Sequence, residues 1–282
     1  MKQLFVLLSS FFFTTIFFSH KLFSQEKAKL DNFNFLHFFP DSSFANIVAG
    51  KLNKNIYDKV NTKELASIKG YFEVGPSELE SLKGIGFLIG IDSFNCFKNS
   101  VTEIPQEFGN LKNLAYLDLC KAFNLKRIPR EIGKLKKLKH LRLSLTEVEI
   151  LPKEIGNLTE LTFLMLCCNS LTEIPKEIGN LKKLITLDIH SNSIKKLPDE
   201  ICNLISLNTL DVSHCGLITL PNNIGNLKEL ETLNLFNNNL KELPKTISNL
   251  TNLRTLNVFD NFQLKENYKK YLPKSLKKKN YS

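Results

Sequence analysis

The residues able to do chemistry in this chain are few, and their spacing is regular. His190 and His214 lie twenty-four residues apart, and Asp188 and Asp211 twenty-three apart. Imidazoles beside carboxylates are the donor set of a divalent-metal centre or of a general acid–base pair. Six cysteines stand at Cys96, Cys120, Cys167, Cys168, Cys202 and Cys215. An even number of cysteines in an exported chain suggests a disulfide framework. Against these readings, the chain has no Cys-x-x-Cys, no zinc-ligand spacing, no Ser-His-Asp order and no phosphate-binding glycine loop.

The regular spacing has a cause in a repeated unit. Leu161 to Lys183 reads LTFLMLCCNSLTEIPKEIGNLKK, and the same grammar returns from Leu184, Leu207 and Leu230. Upstream it starts at Ile91, at Leu114 with one extra residue, and at Leu138, and a half-copy starts at Leu253. Apolar residues fill places 1, 4 and 6 and usually 11, Asn usually fills place 9, and Ile/Leu-Pro fills places 14 and 15. Alternation at places 1 to 6 predicts a short strand, with Leu161, Leu164 and Leu166 inward and Phe163, Met165 and Cys167 outward. Asn169 marks the turn out of the strand, and its equivalents Asn192, Asn238 and Asn261 should stack into a ladder. Pro175 suits the start of a helical turn. Ile178, Leu181 and Leu184, spaced by threes, predict a short helix or 3₁₀ segment behind the strand, with Gly179 keeping the back thin. A fixed period of this size signals a stacked solenoid in which no unit folds alone.

The period also decides the chemistry. Cys96 takes the buried strand place that Leu119 fills one copy later, Cys215 replaces the turn Asn, and Cys202 stands where Gly stands on the back. Cys120 and Cys167 share a column but are two copies apart, about 10 Å at strand spacing and beyond disulfide reach. Cys167 and Cys168 are adjacent in sequence, an arrangement rarely bridged. Free thiols are expected. Asp188 and Asp211 belong to a column that holds Asp118, Asn234 and Asn257 elsewhere, so they read as repeat consensus beside His190 and His214. The expectation is no metal, no cofactor and no enzyme activity.

This unit resembles the leucine-rich repeat, in the 23-residue class carrying LPxxIGNL found in Ras-suppressor and Scribble-type proteins and bacterial relatives. The resemblance covers Ile91 to about Leu264. It implies an α/β solenoid, a horseshoe with parallel strands on the concave side and short helices on the convex side, whose usual role is to bind another macromolecule.

The chain divides into five expected segments, one of them the repeats. Residues 1–24 have a lone Lys2, an apolar run from Leu4 to Phe18 and a short polar stretch, the order of a secretory signal peptide ending near Ser24. Residues 25–40 read as a lead-in linker without period. Residues 41–90 read as a helical cap plus a degenerate first repeat. Asp41-Ser42-Ser43 and Asn61 to Glu64 supply N-caps, and the order resembles the helical N-terminal cap of internalins. In that first repeat Ile68, Tyr71, Ile85 and Leu88 are placed inward, with Glu73 and Pro76 breaking the pattern. Residues 91–264 hold seven full repeats and one partial. Residues 265–282 form a Lys-rich tail in which Tyr268, Tyr271, Leu272 and Pro273 fold over the last repeat, while the residues after Pro273 are too polar to pack.

The formal charge is +10, but the Lys-rich tail carries most of it, leaving the repeats near neutral. That excludes a nucleic-acid footprint. The tail offers at most a weak contact to an anionic surface. On the concave side, place 5 is Asn or Asp in most copies but becomes Arg142 and Met165 in the middle. Around them stand Phe97, Tyr116, His140, Leu145, Phe163, Cys167 and Cys168, an outward aromatic and apolar group with no core to fill. The best reading is a secreted or envelope-located monomer that binds a protein or glycan through this face. Alternatives are a structural envelope scaffold and, if residues 1–24 are not an export signal, a cytosolic small-GTPase regulator.

Overall fold

The computed structural model describes residues 33–277; the export signal read in residues 1–24 lies outside them. The described chain is a single-file solenoid. Nine strands form one sheet in sequence order, with neighbouring strands parallel throughout. They are β3 (Gly70–Glu73), β4 (Ile91–Asn95), β5 (Tyr116–Asp118), β6 (His140–Arg142), β7 (Phe163–Met165), β8 (Thr186–Asp188), β9 (Thr209–Asp211), β10 (Thr232–Asn234) and β11 (Thr255–Asn257). Behind each strand the chain makes a 3₁₀ turn, such as Lys176–Asn180, rather than an α-helix. Pro175 stands just before that turn, and its carbonyl accepts the Ile178 N–H at 3.0 Å. A Cβ on Gly179 would lie 2.5 Å from the Glu200 carbonyl oxygen of the next turn. The back of the solenoid is therefore packed to contact, as the glycine there requires.

The inward columns are buried along the solenoid up to the last strand, where Leu256 and Val258 are half-buried. Leu141, Leu164, Leu187 and Leu210 are each at 0% exposure. Where the strand ends, the place-9 Asn does what its chemistry allows. Asn192 donates to the carbonyls of Leu166 (3.0 Å), Ile189 (2.8 Å) and His190 (3.3 Å) and accepts the Leu171 N–H (2.9 Å). Asn238 and Asn261 repeat the pattern. Each ladder residue thus ties its own turn to the preceding repeat, satisfying backbone groups that the turn leaves unpaired. Immediately before it, at place 8, the backbone turns left-handed at every repeat from Lys98 (φ 58°) to Asp260 (φ 58°), Cys168 (φ 57°) and Leu145 (φ 57°) included.

The two ends depart from expectation in three places. In β3 the register shifts between Gly70 and Tyr71, so that Tyr71 pairs with Ser93 and Phe72 with Phe94. The extra residue of this irregularity turns Tyr71 outward, at 52% exposure, and puts Phe72 and Val74 in the core. The segment before Pro40 is no linker where it is described. Strand β1 (Phe33–Asn34) pairs antiparallel with β2 (Lys59–Val60), and a helical turn at Phe35–Phe38 buries Phe35, Phe38 and Phe39. Their rings continue a chain of edge and stacked contacts from Phe39 through Phe44, Phe72 and Phe94 to Phe108. At the other end a second short helix, Lys274–Lys277, follows Pro273 and buries Leu276 at 1% exposure. Leu276 joins Leu272 and Pro273 in covering the last repeat, while Lys274 stays exposed.

The cap helix Ser42–Lys51 starts where the sequence placed it. Asp41 Oδ1 accepts the Ser43 and Phe44 N–H groups, and its Oδ2 accepts those of Glu80 and Ser81. One carboxylate therefore caps the helix and pins it to the first repeat. Asn61 and Glu64 form a full capping box on the helix Thr62–Ser67.

Candidate functional site

The outward side chains of the sheet fall into columns, because equivalent places on adjacent strands pair directly. Tyr116 pairs with His140 and His140 with Phe163. Their rings line up at centroid distances of 6.1 Å and 5.9 Å, both tilted. His140 is exposed, and Tyr116 and Phe163 are half-buried. Phe97 lies at the edge, with the Lys121 ammonium 5.0 Å from its ring centre, a cation–π contact. Leu145 is exposed at its left-handed turn, and Met165 is half-buried beside Arg142.

Arg142 is less free than its sequence position suggests. Its Nε lies 3.4 Å from Asp118 Oδ2 on the neighbouring strand, and Asp118 is only 5% exposed. The same oxygen accepts the Tyr116 hydroxyl at 3.1 Å, and Oδ1 accepts the Cys120 N–H at 2.9 Å. Burial, then the Asp118 charge, pushes the Tyr116 phenol above its ordinary range. Tyr116, Asp118 and Arg142 thus form one polar knot under the ring row. Arg142 positions the knot as well as facing outward.

Cys167 is the predicted residue that the structure withdraws from the surface. It is 8% exposed, and its Sγ donates to Ser144 Oγ at 3.0 Å. Ser144 separates it from Cys120, whose sulfur accepts the Ser144 N–H at 3.3 Å. All six cysteines are free. Burial pushes the Cys120 thiol up to about 11 and those of Cys96 and Cys167 up to about 12. Cys215, in the Asn place, donates its S–H to the Ile189 carbonyl (3.2 Å), a partial copy of what Asn does there.

Asp188, His190 and Asp211, whose donor types the sequence singled out and the repeat consensus discounted, do come together, and two cysteines that residue spacing did not connect to them join the group. His190 Nδ1 lies 2.7 Å from Asp188 Oδ1, and Cys168 Sγ lies 3.7 Å from His190 Nε2. The donor atoms of Cys167, Cys168 and His190 all lie within 4.8 Å of one another, as do those of Asp188, His190 and Asp211. The signal was present in the repeat register, since Cys167 and His190 occupy the same outward place one period apart. Residue separation along the chain hid it, because metal-site spacings are usually sought within one turn.

The geometry agrees with comparisons to known proteins. The sequence profile of the leucine-rich repeat region matches residues 76–168 and 152–280. A leucine-rich-repeat protein of Leptospira interrogans superposes with a TM-score of 0.63 at 30% identity, over 74% of this chain and 59% of its own. The plant peptide hormone receptor RGFR1, solved in complex with RGF2, superposes with a TM-score of 0.55 at 32% identity, over 66% of this chain and 30% of the receptor. Internalin C2 of Listeria monocytogenes shares the fold, with a TM-score of 0.67 at 24% identity over 79% of this chain and 95% of its own. The chain therefore spans less than two thirds of the first two proteins. No curated protein sequence matches it.

Proposed function

The chain belongs to the leucine-rich-repeat family, and from that premise we propose that it is an exported recognition module whose sheet face binds an extended peptide or protein segment across strands β4 to β7. The observation that carries the proposal is the row Tyr116, His140 and Phe163, three rings in register on adjacent strands, the middle one exposed and its neighbours half-buried. Rings held by a rigid sheet lose little conformational freedom on binding, and aromatic residues next to an arginine dominate interface energetics. A partner strand or loop laid across the columns would meet ring faces, the Arg142 guanidinium and the Leu145 and Met165 side chains in turn. The plant receptor in complex with RGF2 lends support as a similar solenoid that holds a peptide hormone. The export part rests on the signal-peptide order of residues 1–24 and is checked by N-terminal sequencing, which should begin near Gln25.

Selection from a displayed random-peptide library tests the binding site. Peptides enriched on the wild-type chain should lose affinity by about thirtyfold or more, near 2 kcal/mol, on a His140→Ala/Phe163→Ala variant. Peptides that bind both proteins equally would place recognition elsewhere.

A further inference from the structure

We propose that Cys167, Cys168 and His190 form a site for a thiophilic transition-metal ion of the zinc class at the seam of strands β7 and β8, with Asp188 holding the histidine from behind. The solenoid builds the site from two consecutive repeats. Cys167 and His190 occupy the same outward place on adjacent strands, which stand about 4.8 Å apart. Cys168 would ordinarily point away from Cys167, but its left-handed backbone (φ 57°) turns the chain at that residue. Its sulfur comes to 3.7 Å from His190 Nε2.

Tetrahedral zinc with ordinary Zn–S and Zn–N bonds sets a sulfur-to-nitrogen edge of about 3.6 Å and a sulfur-to-sulfur edge of about 3.8 Å. The Cys168–His190 edge already has that length. All three donor atoms lie within 4.8 Å of one another, and binding requires the Cys167 thiol to give up its bond to Ser144 Oγ. Two thiolates and one imidazole are the donor set that favours zinc over calcium or magnesium, and the fourth corner is left to water. Coordination releases the two thiol protons to solvent as the Zn–S bonds form.

Asp188 supplies an independent argument. A carboxylate accepts from the ring, so the 2.7 Å contact places a proton on Nδ1, and in the neutral ring the Nε2 lone pair then faces Cys168. Carboxylate behind imidazole behind metal is the usual outer support of a zinc histidine. The competing group of Asp188, His190 and Asp211 is weaker because Asp211 is already occupied. Its Oδ1 accepts from the Ser213 N–H (2.9 Å) and hydroxyl (2.7 Å), and its Oδ2 from Asn234 Nδ2 (2.8 Å).

The test uses the full chain, reduced and metal-free, titrated with Co²⁺ and then Zn²⁺ under anaerobic conditions. One equivalent of Co²⁺ should give thiolate charge-transfer absorption and the visible bands of a tetrahedral ion, and Zn²⁺ should bleach them. Cys168→Ser and His190→Gln should each remove the bands, Asp188→Asn should weaken Zn²⁺ binding by about 10–100-fold, and Asp211→Asn should change nothing. Circular dichroism checks that each variant folds. Absence of the bands in the folded wild type, or rapid alkylation of Cys168 by iodoacetamide at saturating Zn²⁺, overturns the proposal. Bands lost in Asp211→Asn but kept in Cys168→Ser would move the ion to the carboxylates and overturn it equally.

Discussion

The first and second halves of the sheet face share a backbone and differ in what they present at places 3 and 5. At place 3, strands β4 to β7 carry Ser93, Tyr116, His140 and Phe163, whereas β8 to β11 carry Thr186, Thr209, Thr232 and Thr255. At place 5, Asn95, Asp118, Arg142 and Met165 give way to Asp188, Asp211, Asn234 and Asn257. In the second half Asn234 donates to Asp211 along the column, Asp188 holds His190, and Asn257 accepts the Phe259 N–H. In the first half Asp118 and Arg142 sink into a knot and leave rings above it. The lesson is a division of labour within each repeat. Inward leucines and the Asn ladder hold the solenoid, and the outward columns are free to diverge.

That division makes stability the same in both halves. Leu141→Ala in the first half and Leu187→Ala in the second should each cost about 2–5 kcal/mol in chemical denaturation, as truncations of fully buried leucines do. A clear cost at Leu187 with none at Leu141 would break the comparison at its base. The ladder comes next. Asn192→Ala strips a hydrogen-bonding group from four backbone partners, and should cost about 1–3 kcal/mol. In the reverse direction, Cys215→Asn restores an acceptor that sulfur supplies poorly and should raise stability by about 1 kcal/mol; a loss would show that the turn at Gly216 has adapted to the thiol.

Smaller still, Thr186→Ala with Thr209→Ala should change stability by about 0.5 kcal/mol or less, because both side chains stand outside the core. Urea titration of the double variant reads this directly. A larger cost would mean that the second half of the face is structural rather than spare.

Much of this was legible because a strict period converts sequence into place. Leu164, Leu187 and Leu210 could be put inward, and Asn192 in its ladder, before any coordinates. Legibility failed where one residue broke the count. The shift at Gly70 moved Tyr71 outward and Phe72 inward, and no period in residues 33–39 announced the buried Phe35, Phe38 and Phe39. Leu276 carries its burial alone among lysines, so no pattern betrays it. In the candidate site, the ring row followed from the register, but two features needed coordinates. The register sets Asp118 beside Arg142, but the burial of Asp118 and its bond to the Tyr116 hydroxyl do not follow from it. The meeting of Cys168 with His190 depends on a left-handed turn at a residue type that does not demand one.

The central claim is that the rings of the first half bind and the threonines of the second half do not, on a scaffold indifferent to both. Titration of one selected peptide into His140→Ala/Phe163→Ala and Thr186→Ala/Thr209→Ala, with melting curves for each, tests it in a single experiment. The account predicts about a thirtyfold loss of affinity for the ring pair, none for the threonine pair, and nearly unchanged melting for both. Equal losses in the two variants, or a loss confined to the threonines, would contradict it.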